Sequence, residues 1–317
     1  MFWDIILLLV GLALIVFGAD YLVDGASSVA RRFGLSEFVI GLTIVGMGTS
    51  APEMVVSFIG AIQGNADIAI GNVVGSNIMN TLLILGVTAL ILPMAVTPSN
   101  KKRDIPVNIL ITVLLILLGL ELTIFGFGTD GLSRWDGGIL IAVFLTYMVL
   151  SFKGNHPDED EKPAKQFSLW LSILMILGGL GALVFGGNLF VNKATDLARA
   201  LGVSDKFIAI TILAGGTSMP ELATCVVAAA KKKGQLALGN ILGSNVFNIL
   251  LILGCAATIH PISFSGINLI DMGTLLLSAV LVLLSAFFFK RNEIDRGDGA
   301  IFLLAFIAYY VWLFINL

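Results

Sequence analysis

The sequence predicts an all-α polytopic membrane protein of ten transmembrane helices, built as two inverted five-helix repeats. Three observations carry that prediction. Of 317 residues, 57% are hydrophobic and only 12% charged, against about 25% charged in soluble domains, and the mean hydropathy is +1.00. Apolar runs of the roughly 20 residues that cross a hydrocarbon core fill nearly the whole chain. Sliding the chain against itself by 168 positions aligns residues 17–93 with 185–261 without a gap, and about 32 of the 77 pairs are identical. A soluble helical protein would need charged helix faces, and almost none are present. The net charge of −3 points to neither a nucleic-acid nor an acidic partner.

The spans follow in order. The first repeat, 1–152, holds Ile5–Leu22, Glu37–Ile62, Asp67–Leu92, Ile105–Leu122 and Trp135–Phe152. A charged linker, 153–166, precedes the second repeat, 167–317, with Phe167–Phe190, Asp205–Ala230, Gln235–Ile259, Leu269–Phe289 and Ala300–Phe314. The first segment lacks a basic n-region and a small-residue cleavage site, so it reads as a retained helix. Of the 18 basic residues, 14 fall in loops on one side of this scheme. The positive-inside rule makes that side cytoplasmic, placing both termini outside the cytoplasm and the linker inside. Five spans precede the second copy, so it crosses the membrane in the opposite sense, the plan of secondary transporters whose sites lie where broken helices meet.

Identities concentrate in two motifs. Gly48-Thr49-Ser50-Ala51-Pro52-Glu53 is matched by Gly216-Thr217-Ser218-Met219-Pro220-Glu221 in spans 2 and 7. Gly71-Asn72-Val73-Val74-Gly75-Ser76-Asn77 and Asn80 are matched by Gly239-Asn240-Ile241-Leu242-Gly243-Ser244-Asn245 and Asn248 in spans 3 and 8. These four spans are the expected ion-binding core. Proline removes a backbone donor and fits the first turn of a new half-helix, with Ser or Thr expected to cap it. The break frees carbonyls around Gly46–Ser50 and Ala214–Ser218. Carbonyls, hydroxyls and a carboxylate within one turn suit a hard cation such as Na⁺, Ca²⁺ or Mg²⁺.

A kinked helix with an ion-paired Glu is the plainer alternative, but every basic residue sits at a loop or span end. Two glutamates face to face would repel unless a cation lay between them. One pair cannot hold two loads at once, so Ca²⁺ and Na⁺ or H⁺ would alternate. Ser76 and Asn80, like Ser244 and Asn248, are four apart and share a helix face. Asn72, Asn77, Asn240 and Asn245 serve either as ion contacts or as interhelical hydrogen-bond glue.

Other groups are given structural roles. Asp20 and Asp24 are expected at the interface, and Glu37, Asp67, Asp104, Asp136, Asp205 and Asp271 at helix caps. Cys225 and Cys255 read as buried hydrophobes, not a disulfide. His156 and His260 suggest no metal or proton relay. With no nucleotide-binding loop, nucleophile–base pair or soluble catalytic domain in the sequence, neither enzymatic activity nor a cofactor is expected.

The doubled motifs closely resemble the cation/Ca²⁺ antiporter superfamily, in particular its prokaryotic sodium/calcium exchanger branch, and the resemblance spans essentially the whole chain. It implies a cell-membrane exchanger in which Ca²⁺ leaves as Na⁺ enters, with those ions and the bilayer as partners; a monomer is compatible with this plan. By this resemblance Glu53 and Glu221, with the carbonyls of Thr49 and Thr217, hold Ca²⁺. Gly46, Ser50, Ser76, Ala214, Ser218 and Ser244 complete flanking Na⁺ sites, and Asn80 and Asn248 line the centre. Spans 1 and 6 would slide as a gating pair. Many such exchangers carry Asp where this chain has Asn248, and in potassium-dependent members that Asp goes with K⁺ use, so Asn argues against K⁺. Proton-coupled relatives generally have Gly-Asn-x-x-Glu in place of Thr-Ser-x-Pro-Glu, which disfavours a H⁺/Ca²⁺ exchanger. A cation channel would need a pathway open at both faces, which an inverted repeat within one chain does not favour.

Overall fold

The computed structural model describes residues 2–64, 66–126, 128–153, 166–202, 214–264, 267–288 and 292–316. Most of the linker with His156, the first part of the expected seventh span with Asp205 and Lys206, and the end of the ninth at Phe289 lie outside them. The helices are α1 Phe2–Arg32, α2 Glu37–Thr49, α3 Ala51–Ile62, α4 Ile68–Ile91, α5 Ile105–Gly119, α6 Arg134–Lys153, α7 Leu169–Ala200, α8 Met219–Ala230, α9 Gly234–Ile259, α10 Leu269–Phe287 and α11 Arg296–Asn316. The chain is a helical membrane protein. Seven of these helices are long and apolar enough to span, or eight if α2 and α3, bent by 49°, are one. The other two expected spans correspond to α5, with 15 residues, and to α8, with 12, which follows the undescribed stretch.

The sequence repeat is visible in the element boundaries. Ala51–Ile62 recurs as Met219–Ala230 and Ala66–Ile78 as Gly234–Val246, while the π-helical turn Met79–Ile84 recurs as Phe247–Ile252. Burial sorts the helices into centre and periphery. In α9, 94% of the apolar window is buried and in α4 72%, against 17–44% in the five other single helices that pass the test. The two most buried helices are the ones that carry the Gly-Asn-x-x-Gly-Ser-Asn motifs, whose polar side chains lipid would not solvate.

Two short antiparallel ribbons tie loops together. Met94–Ala95 pairs with Glu293–Ile294, and Gly131–Leu132 with Ile262–Ser263. Each joins two loops that the span order expected from the sequence would put on one side of the membrane. Helices α1 and α7 pack as a pair through small residues. A Cβ on Gly18 would stand 2.8 Å from the Gly179 carbonyl, and one on Gly179 would stand 2.7 Å from that of Gly18. Close backbone approach of this kind substitutes for the hydrophobic drive that lipid removes.

Several acidic groups have partners that the sequence did not reveal. Lys231, just after α8, contacts both Asp20 and Asp24 of α1 at 2.7 Å, and Lys233 approaches Asp24 and Glu37. Asp104 stands at the N-cap position of α5, but its side chain does not cap the helix. It is fully buried, paired with Arg103 at 2.8 Å and accepting from Asn100 and Tyr147, because the fold brings α6 against the start of α5. Asp271 does complete a capping box with Asn268 and also accepts from Tyr309. The two cysteines are unpaired thiols.

The crossing of α2 and α9 sets the spacing of the core. A Cβ on Gly243 would lie 2.3 Å from the Leu42 carbonyl, a backbone atom that cannot turn aside. Gly243→Ala is expected to destabilise the detergent-solubilised protein by about 1–3 kcal/mol, the usual penalty of overpacking, read as a lowered melting temperature. Gly178→Ala, at an exposed position with nothing within 4 Å among the described residues, should leave melting unchanged or slightly raised. Equal melting of both variants would contradict this view of the core.

Candidate ion-binding site

The site begins with the two helix breaks. Pro52 and Pro220 sit in the first turns of α3 and α8, where the missing N–H is tolerated. Ser50 and Ser218 stand at the N-cap positions, yet neither side chain caps its helix. Instead the hydroxyls cross between the repeats. Ser50 donates to Oε1 of Glu221 at 3.0 Å, and Ser218 donates to Oε1 of Glu53 at 3.2 Å. The capping expectation is corrected: Ser50 (φ −79°, ψ 8°) and Ser218 (φ −87°, ψ 7°) lack the extended backbone from which an N-cap oxygen reaches the first free N–H groups.

Each carboxylate also meets a serine of its own repeat. Ser76 donates to Glu53 Oε1 at 3.4 Å, and Ser244 lies 3.5 Å from Glu221 Oε1 and 3.4 Å from the Gly46 carbonyl. Both glutamates are only 1% exposed. Their second oxygens, Oε2, have no protein hydrogen-bond partner among the described residues, and no basic side chain is paired with either. A lone buried charge is costly, so the ion-paired kink does not account for these groups.

Asn80 and Asn248 repeat the pattern. Asn80 Nδ2 donates to Asn245 Oδ1 at 3.2 Å and Asn248 Nδ2 to Asn77 Oδ1 at 2.9 Å. Their own Oδ1 atoms are buried and unpartnered. Asn80 follows Ser76 by one turn and Asn248 follows Ser244 by one turn, on the helices whose serines meet the glutamates. The two glutamates and these two asparagines carry four buried acceptors with no hydrogen-bond partner among the described residues: two carboxylate oxygens and two amide oxygens. All four are hard oxygen ligands of the type that bind Na⁺ or Ca²⁺. No group of three or more His, Cys, Asp or Glu occurs among the described residues, so any cation here depends on neutral oxygens as well as on the two charges.

The remaining expected residues are placed less evenly. The Thr49 hydroxyl is buried, within hydrogen-bond distance of the Val45 carbonyl and of Asn240 Oδ1 at 3.1 Å. Thr217 is half-buried and borders a cavity of about 380 Å³ with Pro52, Asn188, Asn192 and Pro220. The Gly46 carbonyl accepts from Ser50 N–H at 3.1 Å. Ala214 opens the short turn Ala214–Gly216. A second cavity, of about 510 Å³ and mostly apolar lining, reaches Ser218 beside Met79 and Tyr310.

Asn72, Asn77 and Asn245 make hydrogen bonds to other helices. Asn72 donates to the Glu53 carbonyl and to Ser57 Oγ, each at 3.1 Å, while Asn240 donates to Cys225 Sγ at 3.2 Å. Ser57 and Cys225 are 168 apart, a spacing that marks them as counterparts although their side chains differ. That pair, and the roles of Thr81 and Lys231, were not read from the sequence.

Comparison with known proteins agrees with this geometry. The family described as sodium/calcium exchanger protein matches residues 3–153 and 171–315. The chain is 39% identical over 320 residues to the putative antiporter CaxA of Alkalimonas amylolytica, covering 98% of both chains. It is 33% identical over 347 residues to the sodium/calcium exchanger MaX1 of Methanosarcina acetivorans, again covering 98% of each. Its fold superimposes on the sodium-calcium exchanger NCX_Mj, soaked with zero Na⁺ and Ca²⁺, with a TM-score of 0.84 and 32% identity over 98% of both chains. With both halves matched and the likeness running nearly end to end, the chain belongs to the sodium/calcium exchanger protein family.

Proposed function

We propose that this protein exports Ca²⁺ in exchange for Na⁺ by alternating access to one site near the membrane midplane. The observation that carries the reading is the pair of buried carboxylates, each with one oxygen that has no hydrogen-bond partner among the described residues. Ionised, Glu53 and Glu221 give the site a formal charge of −2. One Ca²⁺ cancels it, and Na⁺ ions can cancel it by occupying the same oxygens. Neither load can be bound while the other is present, and an empty site leaves two like charges buried together. Loading is thereby tied to unloading.

In this reading Ca²⁺ is held by Glu53 and Glu221 with the carbonyls of Thr49 and Thr217. Na⁺ occupies flanking positions built from Gly46, Ser50, Ser76, Ala214, Ser218 and Ser244, and Asn80 and Asn248 line the centre. Asn248 in place of a carboxylate keeps the charge at that of the two glutamates, which argues against an added K⁺. The architecture is ten spans in two inverted repeats, 1–152 and 167–317, joined by the cytoplasmic stretch 153–166. Alternation is supported by a difference between matched positions. Asn188 and Asn192 border a cavity beside Thr217, whereas their counterparts Asp20 and Asp24 are tied to Lys231.

In proteoliposomes, an outward Na⁺ gradient is expected to drive ⁴⁵Ca²⁺ uptake. Glu53→Gln and Glu221→Gln should each lower Ca²⁺ affinity by at least about a hundredfold, in line with the roughly 3 kcal/mol that follows removal of one partner from a buried charge pair. Uptake driven by a pH gradient and indifferent to Na⁺ would assign H⁺ as the counter-ion instead, and Ca²⁺ current without counter-ion exchange would identify a channel. The proposed orientation is tested in intact cells with a membrane-impermeant thiol reagent, after replacing the native cysteines. A cysteine at position 316 should react, and one at position 160 should react only once the membrane is permeabilised. The reverse pattern would overturn the assignment of sides.

A further inference from the structure

We infer that Asn77 is a positioning residue that fixes the amide of Asn248 with its oxygen turned toward the ion site; this rests on the antiport reading above. An asparagine side chain has two ends of nearly equal shape and opposite function, an acceptor oxygen and a donor NH₂. Turned one way, Asn248 offers a cation an oxygen. Turned the other way, it presents two N–H protons and repels it. Shape alone does not choose between the two.

The choice is made one step away, by a group with no freedom. Asn77 Nδ2 donates to the backbone carbonyl of Asn245 at 3.2 Å. A backbone carbonyl can only accept, so a flipped Asn77 would set its oxygen against that of Asn245. Asn77 Oδ1 is therefore held toward Asn248 and accepts from its Nδ2 at 2.9 Å. That contact consumes the donor end of Asn248 and leaves Oδ1 buried without a protein partner. Asn77 is itself 1% exposed, so water does not compete for these bonds.

The matching chain in the other direction is anchored less firmly. Asn245 Oδ1 accepts from Asn80, and Asn245 Nδ2 rests on the Thr81 hydroxyl at 2.9 Å. A hydroxyl both donates and accepts, so Thr81 tolerates either orientation of Asn245. Thr81 has no polar counterpart, since Ile249 stands 168 positions later. The two central amides are thus not equivalent: Asn248 is locked through Asn77, and Asn80 is steered.

The test is equilibrium ⁴⁵Ca²⁺ binding to purified full-length protein in a double-mutant cycle, with melting in the absence of Ca²⁺ as the measure of folding. Asn77→Leu should weaken Ca²⁺ binding about tenfold or more. In an Asn248→Asp background the same change should alter binding less than about threefold, because a carboxylate has no nitrogen end to turn inward; such non-additivity is the mark of direct coupling. If Asn77→Leu does not fold, Asn77→Ala removes the same amide with less bulk. Equal losses in both backgrounds, or no loss in either, would overturn the inference and reduce Asn77 to packing. Glu53→Gln in the same assay separates the two claims. Undiminished Ca²⁺ binding there would defeat the antiport reading itself, whatever Asn77 does.

Discussion

Two carboxylates enclosed in the same buried cluster, with no basic residue paired to either among the described residues, govern the rest of this structure. A buried charge without a partner is among the costliest features a membrane protein can carry. Glu53 accepts from Ser76 and Ser218 on one oxygen and Glu221 accepts from Ser50, with Ser244 shared between it and the Gly46 carbonyl; the other oxygen of each has no partner among the described residues. Neutral hydroxyls lower the energy of the ionised form but cannot cancel its charge. In the proposed reading cations do so, and the need for them suits a site of this composition to exchange in place of permanent binding.

The surrounding fold keeps that arrangement buried. The sequence repeat supplies the Pro-Glu break and the polar helix twice, and the serines at the breaks serve the glutamate of the other copy. Pro52 and Pro220 end the continuous helix where the carboxylates are needed. Close glycine contacts, as at Gly243 against Leu42, bring the backbone near enough for these short hydroxyls to reach. The neutral part of the cluster shows more difference between repeats than the charged part does. Its hydrogen bonds run Asn77 to Asn248 and Asn245 to Asn80, yet they end on a carbonyl in one direction and a hydroxyl in the other.

Much of this was legible in the sequence, for a physical reason. Duplicated motifs survive as identities at a fixed offset, and Pro-Glu in an apolar span is rare enough to signal a break and a buried charge. Glu53, Glu221, Ser50, Ser76, Ser218, Ser244, Asn80 and Asn248 were all marked in this way; hydrogen-bond contacts join the two glutamates to the four serines, and Asn80 and Asn248 lie one turn beyond Ser76 and Ser244. Partner choice was not legible. Ser50 looked like a cap but serves Glu221, 171 positions away. Asp20 and Asp24 looked interfacial, but Lys231 reaches them across more than 200 positions. Asp104 looked like a cap, and its partner Tyr147 lies on another helix. These contacts depend on which helices meet, and periodicity within a single helix carries no trace of that. The direction of an amide is further removed still, because it depends on the partner of a partner.

The central claim is that Na⁺ and Ca²⁺ use one set of oxygens. The most direct measurement is equilibrium ⁴⁵Ca²⁺ binding to the purified protein over a series of Na⁺ concentrations, at constant ionic strength and pH. The account predicts strict competition: Na⁺ raises the apparent Kd for Ca²⁺ without limit and, at saturation, displaces all of it. A plateau at which Ca²⁺ stays bound however much Na⁺ is added would contradict it, because both ions would then occupy the protein together.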